Sequence, residues 1–402
     1  MKILSIFGTR PEAIKMAPLI RALEAEAAID AVVCLTGQHR RMLRQVLDVF
    51  DITPHYDLDV MTENQTLNAL ASRVLHSLDE VIEAVQPDRV LVHGDTTTAA
   101  AAALAAFHRR IPVGHVEAGL RTGDLGKPWP EEMNRRVVDV LSDLLFAPTA
   151  NAAANLEREQ LHGRIVVTGN TVIDALRLTT ARIDSSASLR TSLDERFAYI
   201  HPGKPLLLVT GHRRESFGDG FEEICAALAE IAHTQDVEIV YPVHLNPNVQ
   251  NPVRRLLSGV ANIHLIAPQS YVGFVRLLQR ATVVLTDSGG VQEEAPALGK
   301  PVLVMRDVTE RPEAVEAGTA RVVGTQRVAI VEAVTRLLRD PEERATYAHK
   351  ANPYGDGQAS ARIVAALLGR PFEPFDARAH TWGPGAVEAS SLHVQKRINA
   401  AA

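Results

Sequence analysis

Short apolar runs rich in β-branched residues alternate with longer stretches of helical periodicity along almost the whole chain. Residues 3–7, 31–35, 89–93, 113–116, 144–147 and 165–168 read as strands. Residues 13–27, 67–85 and 97–109 read as helices between them. Strict alternation of the two element types predicts a parallel, doubly wound sheet covered on both faces.

The rhythm restarts after a polar stretch without clear pattern over residues 183–204. Residues 206–209, 238–241, 263–266, 283–286 and 302–304 then read as five further strands. Between the first two, Phe217, Phe221, Ile224, Leu228 and Ile231 fall on one helical face. The expectation is an α/β chain of two Rossmann-like domains facing across a cleft, with a boundary near residues 170–185. A last helix is expected at 359–368, and a mobile tail over 376–402, where no apolar periodicity remains.

Composition narrows the functional classes. A chain of 402 residues with 46% apolar content is long for one core, which favours two domains. The 42 Lys and Arg against 48 Asp and Glu give a net charge of −6, without the basic excess of a nucleic-acid binder. The two cysteines, Cys34 and Cys225, fall on a strand and on an apolar helix stripe, and read as small buried hydrophobes. No run approaches the roughly 20 apolar residues of a membrane span, and the five-residue run at the amino terminus is too short for a signal-peptide core. A soluble cytoplasmic protein is expected.

Charged clusters punctuate the strand ends: GTRPE (8–12), HGD (93–95), HVEAGLRTG (115–123) and GHRRES (211–216). In open α/β sheets ligands bind at the carboxyl ends of strands, so these clusters point to a cleft for an anionic substrate. In GTRPE a helix amino terminus with Arg10 and Lys15 offers amides and positive charge, the alternative being an ordinary solvated loop. Asp287-Ser288-Gly289-Gly290 opens a helix where a ligand can approach the backbone, with Ser288 as cap or phosphate donor and Glu294 one turn further in. His93 with Asp95, and His115 with Glu117, form i,i+2 pairs, and Glu131 adds a third acidic site, a set suited to proton transfer. Each histidine has the alternative of a buried, backbone-satisfied imidazole. His212 at a strand end suits phosphate contact. Two His and two carboxylates could ligate a metal, but Arg10, Lys15, Arg121 and Arg135 would crowd the same cleft with positive charge, and no G-x-G-x-x-G pattern argues for a nicotinamide. No metal and no cofactor are expected.

The motifs FGTRPEAIKMAPL, LVHGDTTT, PVGHVEAGLRTGD, PWPEEMNR, TGHRRESFG, YPVHLNPNV, LTDSGGVQEEAPALGKPVLVMRDVTERPEAV and NPYGDGQAS together resemble the bacterial non-hydrolysing UDP-N-acetylglucosamine 2-epimerases. The resemblance runs from Met1 to about Leu368. It implies two Rossmann-like domains in the glycosyltransferase B arrangement. Residues 1–175 with a returning segment 356–375 would form one and residues 176–355 the other. It also implies reversible conversion of UDP-N-acetylglucosamine to UDP-N-acetylmannosamine through UDP and 2-acetamidoglucal, supply of cell-surface polysaccharide synthesis, and a homodimer without membrane or nucleic-acid partners.

Carried over motif by motif, Asp95, Glu117 and Glu131 match the family's catalytic carboxylates, with acid and base roles open, and His212 contacts phosphate and assists. Arg10, Lys15 and Arg135 match the sugar–diphosphate contacts, Ser288, Gly289 and Gly290 the diphosphate loop, and Glu294 the ribose contact. Gln269 and Phe274 match the uracil side, and Arg311 the arginine of the TERPEA motif. Gln38 and His244 match the neighbourhood where some members bind a second substrate molecule as activator. Arg41 and Asn64 depart from that pattern, as does the length of the tail. A glycosyltransferase of the same architecture, a hydrolysing relative and a silent UDP-sugar sensor are the competing readings.

Overall fold

The structure, a computed structural model, describes residues 1–37, 40–62 and 65–379. The chain forms two compact units, one of Met1–Ala175 with Tyr354–Ala377, the other built on Leu176–Pro353. The first holds a seven-stranded sheet of β1 (Lys2–Phe7), β2 (Asp30–Leu35), β3 (Tyr56–Asp57), β4 (Arg89–His93), β5 (Val113–Val116), β6 (Leu144–Ala147) and β7 (Arg164–Val167). The strands are parallel, in the order β3-β2-β1-β4-β5-β6-β7. Sequence order therefore reverses between β1 and β4, the switch point where such sheets open a crevice. Ile3, Leu4, Ile6 and Phe7 are all fully buried because both faces of β1 are covered.

The helix Thr97–His108 shows why the covering layer lies close. Thr96 caps it by accepting from the Ala99 amide at 3.0 Å. Its buried residues are small, Ala99, Ala102, Ala103 and Ala106, and pack with Val90, Val92 and Val113. The unit is completed from the far end of the chain, where the helix Ala359–Leu367 packs on the helix Arg10–Glu24. Asp174 caps that returning helix, accepting from the amides of Ala359 at 3.2 Å and Ser360 at 2.8 Å. Burial pushes the Asp174 carboxyl up to about 6, against the pull of these donors.

The second unit repeats the plan with β8 (Leu206–Thr210), β9 (Glu238–Pro242), β10 (Ile263–Ile266), β11 (Val283–Thr286), β12 (Val302–Val304) and β13 (Ala320–Val322). Their order is β10-β9-β8-β11-β12-β13, again all parallel, with the switch point between β8 and β11. Phe221, Ile224, Leu228 and Ile231 of the helix Asp219–Thr234 bury against Leu207, Val209 and Ile239. Phe217 lies just outside that helix and meets the Phe221 ring at 5.9 Å.

Several expectations need correction. The stretch 183–204 holds the end of the helix Thr171–Ser185 and a further helix, Ala187–Arg196, started by a Ser186 cap. The edge strands β3 and β13 went unpredicted, being two and three residues long. The first helix begins at Arg10 and ends at Glu24, because Thr9 caps it with Pro11 following. Cys34 and Cys225 are buried and free, and burial pushes both thiols up to about 12. Gln38, Asn64 and the tail from 380 onward lie outside the described residues.

Candidate active site

In the first unit the charged loops follow the carboxyl ends of β1, β4 and β5. Glu12, not a ligand, fills the amino terminus of the helix Arg10–Glu24: its Oε2 accepts from the amides of Gly8 at 3.0 Å and Thr9 at 2.7 Å. Its Oε1 accepts from the Thr96 hydroxyl at 2.7 Å. The expected anion cradle is thus a reciprocal capping box. What it achieves is placement. Arg10 opens the helix half-buried, and Lys15, one turn in, donates to Glu117 Oε2.

Glu117 follows β5 with φ of 70°, a left-handed conformation uncommon for a non-glycine residue. Its side chain is 8% exposed. Asn170 Nδ2 donates to the same Oε2 at 3.0 Å, and His93 Nε2 stands 3.6 Å from it. Asp95 lies after the adjacent strand β4, where the Gly94 amide donates to the Val116 carbonyl at 3.0 Å. Arg135 donates to Asp95 Oδ2, and Asn134 Nδ2 to the Asp95 carbonyl at 2.9 Å. Both come from the helix Glu131–Leu141, whose first residue is Glu131. Glu131 is half-buried, and its Oε2 has no hydrogen-bond partner among the described residues.

The neighbouring Glu132 is fully buried. It accepts from the amides of Thr122 at 3.1 Å and Gly123 at 3.2 Å and from Arg135 at 3.0 Å, and pairs with Arg136 at 3.4 Å. His115 turns away from Glu117. Its ring nitrogens face Asp139 Oδ1 at 2.6 Å and the Gly94 carbonyl at 2.8 Å, fully buried. Arg121 is likewise drawn off, paired with Asp139 and Glu159 at 2.7 Å each.

In the second unit Asp287, after β11, binds the loop after β8. Its Oδ2 accepts from the amides of His212 at 2.6 Å and Arg213 at 2.8 Å, and its Oδ1 lies 3.3 Å from His212 Nδ1. Burial holds the His212 imidazole below its ordinary range, opposed by Asp287 and reinforced by Arg213 and His244. The His244 ring stacks on it at 5.4 Å. Ser288 precedes the helix Gly289–Ala297 but makes no side-chain cap bond, so the amides of Gly289 and Gly290 begin the helix without a side-chain acceptor from Ser288. Arg311 lies beside Gly289 and donates to the buried Glu293. Glu294 Oε1 accepts from the Tyr271 hydroxyl at 2.8 Å. Gln269, which is buried, and Phe274, half-buried, flank the start of the helix Tyr271–Arg280.

The structure thus joins Lys15 to Glu117 and Arg135 to Asp95 directly, and gathers His212, His244, Ser288, Gly289 and Gly290 around the second switch point. Sequence reasoning missed Glu132, Asn170 and the binding role of Asp287. Asn170 carried a signal: an asparagine in the short turn between a strand and an apolar helical run is a helix cap.

A family model described as UDP-N-acetylglucosamine 2-epimerase matches residues 21–368. The UDP-N-acetylglucosamine 2-epimerase of Escherichia coli O157:H7 is 59% identical over 91% of this chain and 98% of its own. That of Neisseria meningitidis is 50% identical over 92% of this chain and 99% of its own. A crystal structure of the Neisseria meningitidis enzyme bound to UDP-GlcNAc superposes with a TM-score of 0.87 at 49% identity, covering 92% of this chain and 100% of that one. The Methanocaldococcus jannaschii enzyme in complex with UDP-GlcNAc and UDP gives 0.78 at 34% identity, covering 92% and 100%.

The fold is that of the glycosyltransferase B class, two Rossmann-like α/β units in one chain. Within that class the chain belongs to the UDP-N-acetylglucosamine 2-epimerase family.

Proposed function

We propose that the chain interconverts UDP-N-acetylglucosamine and UDP-N-acetylmannosamine by eliminating UDP and adding it back, without hydrolysis. Family membership makes it an isomerase, a UDP-N-acetylglucosamine 2-epimerase. The proton on carbon 2 is weakly acidic, so direct removal and return lacks an activating group. In the elimination, a carboxylate takes that proton, the C–H pair becomes the double bond between carbons 1 and 2, and the carbon 1–oxygen pair departs with UDP. The product, 2-acetamidoglucal, then accepts a proton on the opposite face of carbon 2 while a diphosphate oxygen returns to carbon 1.

Asp95, Glu117 and Glu131 carry the proton in this reading, and Arg10, Lys15 and Arg135 stabilise the sugar–diphosphate charge. His212, Ser288, Gly289 and Gly290 hold phosphate, Glu294 the ribose, Gln269 and Phe274 the uracil, and Arg311 supports the diphosphate loop. One observation carries the reading above the others: acidic side chains with cationic partners stand at the ends of adjacent strands β4 and β5. Epimerisation in deuterated water will place deuterium at carbon 2 of both epimers, seen by NMR. Free sugar as the sole product would mean a hydrolase, and unchanged substrate a sensor.

A homodimer is part of the same proposal. Met133, Val137 and Val140 are 43%, 36% and 67% exposed on one face of the helix Glu131–Leu141. Phe107, 55% exposed, lies on the helix packed beside it. A self-complementary patch of this kind suits a two-fold interface. Light scattering will give twice the chain mass for the parent and the single mass for Val140→Asp, whereas a monomeric parent refutes the dimer. The described residues include no helix long and apolar enough to cross a membrane. Cytoplasmic residence and supply of cell-surface polysaccharide synthesis complete the proposal.

A further inference from the structure

We infer that Asn170 is a positioning residue for Glu117, acting through its side-chain amide, an inference that rests on the proton-transfer role of Glu117. Asn170 is 3% exposed and held at each polar group. Its Oδ1 accepts from the Val172 amide at 3.0 Å, capping the helix Thr171–Ser185. Its own amide donates to the Tyr354 carbonyl at 2.6 Å, and its carbonyl accepts from the Ile173 amide at 3.1 Å. With both ends fixed, Nδ2 has one direction left, and it donates to Glu117 Oε2 at 3.0 Å.

Glu117 needs such a support. On the main-chain side, its amide and that of Ala118 both donate to the Phe146 carbonyl at 3.1 Å, holding the left-handed backbone. Lys15 reaches the carboxylate on a long flexible stem, and His93 stands beyond hydrogen-bond distance at 3.6 Å. Asn170 is short, buried and doubly anchored. It therefore fixes where the carboxylate stands, while the lysine supplies charge. A reacting group displaced by about 1 Å loses roughly 100-fold in rate.

Capping and positioning separate by substitution. Aspartate and serine both cap helices as well as asparagine does, yet neither offers an amide to Glu117. Both Asn170→Asp and Asn170→Ser are expected to bind UDP as tightly as the parent and lose roughly 10- to 100-fold in kcat with little change in KM. Asn170→Ser melts within a few degrees of the parent, whereas Asn170→Asp, which buries a second carboxylate, melts lower. In Asn170→Asp the pH profile of kcat also shifts, because a second carboxylate faces Glu117 beside Lys15 and His93. Parent kcat in either variant overturns the inference, and so does failure of both to fold, which would make Asn170 purely structural. Glu117→Gln run alongside tells the two levels apart. If it retains full turnover, the role of Glu117 falls. If it collapses while the Asn170 variants do not, only the inference falls.

Discussion

Glu117→Gln and Asp95→Asn are each expected to lower turnover by roughly 10²–10⁴-fold, the scale of general acid–base catalysis. UDP affinity will stay near that of the parent in both, because the nucleotide contacts are assigned to His212, Ser288, Gly289, Gly290 and Glu294. Both replacements keep an oxygen acceptor, so Asn170 retains a partner in the first and Arg135 in the second. What disappears is the capacity to take up a proton. Steady-state kinetics with calorimetric UDP titration makes the comparison. Turnover close to the parent's in either variant removes that residue from the mechanism, and loss of UDP binding in step with turnover would point to a misfolded site.

Glu132→Ala is expected to cost about 3–5 kcal/mol of stability, the range for stripping one partner from a buried ion pair. The carboxylate is fully buried and answers two backbone amides and two guanidinium groups. Its removal leaves Arg135, itself buried, with Asp95 as its acidic partner among the described residues. Glu131→Gln is the contrast: the adjacent side chain is half-buried with one oxygen lacking a partner, so its loss touches activity and not the fold. Urea denaturation followed by circular dichroism measures both. Equal midpoints for Glu132→Ala and the parent would show that the network is incidental.

Most strands were legible because central parallel strands are buried on both faces and read as continuous apolar runs. β4, β5, β6, β11 and β12 begin and end where the apolar pattern does. The edge strands β3 and β13 are too short to show any period. The helix Ala187–Arg196 buries only Leu193, so it lacks the apolar stripe that marks its neighbours. At the site, the loops were legible because charged residues directly follow apolar strands. The division of labour inside them was not. Glu131 and Glu132 are identical in type and adjacent, and only the fold distinguishes the one that serves the Thr122–Gly123 turn. His115 pairs in register with Val92, one step before His93, and is committed to Asp139 and Gly94, which its place in the sequence does not reveal. Long-range partners such as Tyr354 for Asn170 leave no trace in local spacing.

The contribution of Tyr354–Ala377 to the first unit sets an order on how the protein is made. Chains emerge from the ribosome amino end first, so the strands β1 to β7 are available long before the helix that Asp174 caps. Leu176–Pro353, the body of the second unit, is synthesised within that interval. The unit whose translation begins first is therefore completed only after the body of the other has been made, and the Asn170 amide meets its carbonyl acceptor only once Leu176–Pro353 has been synthesised.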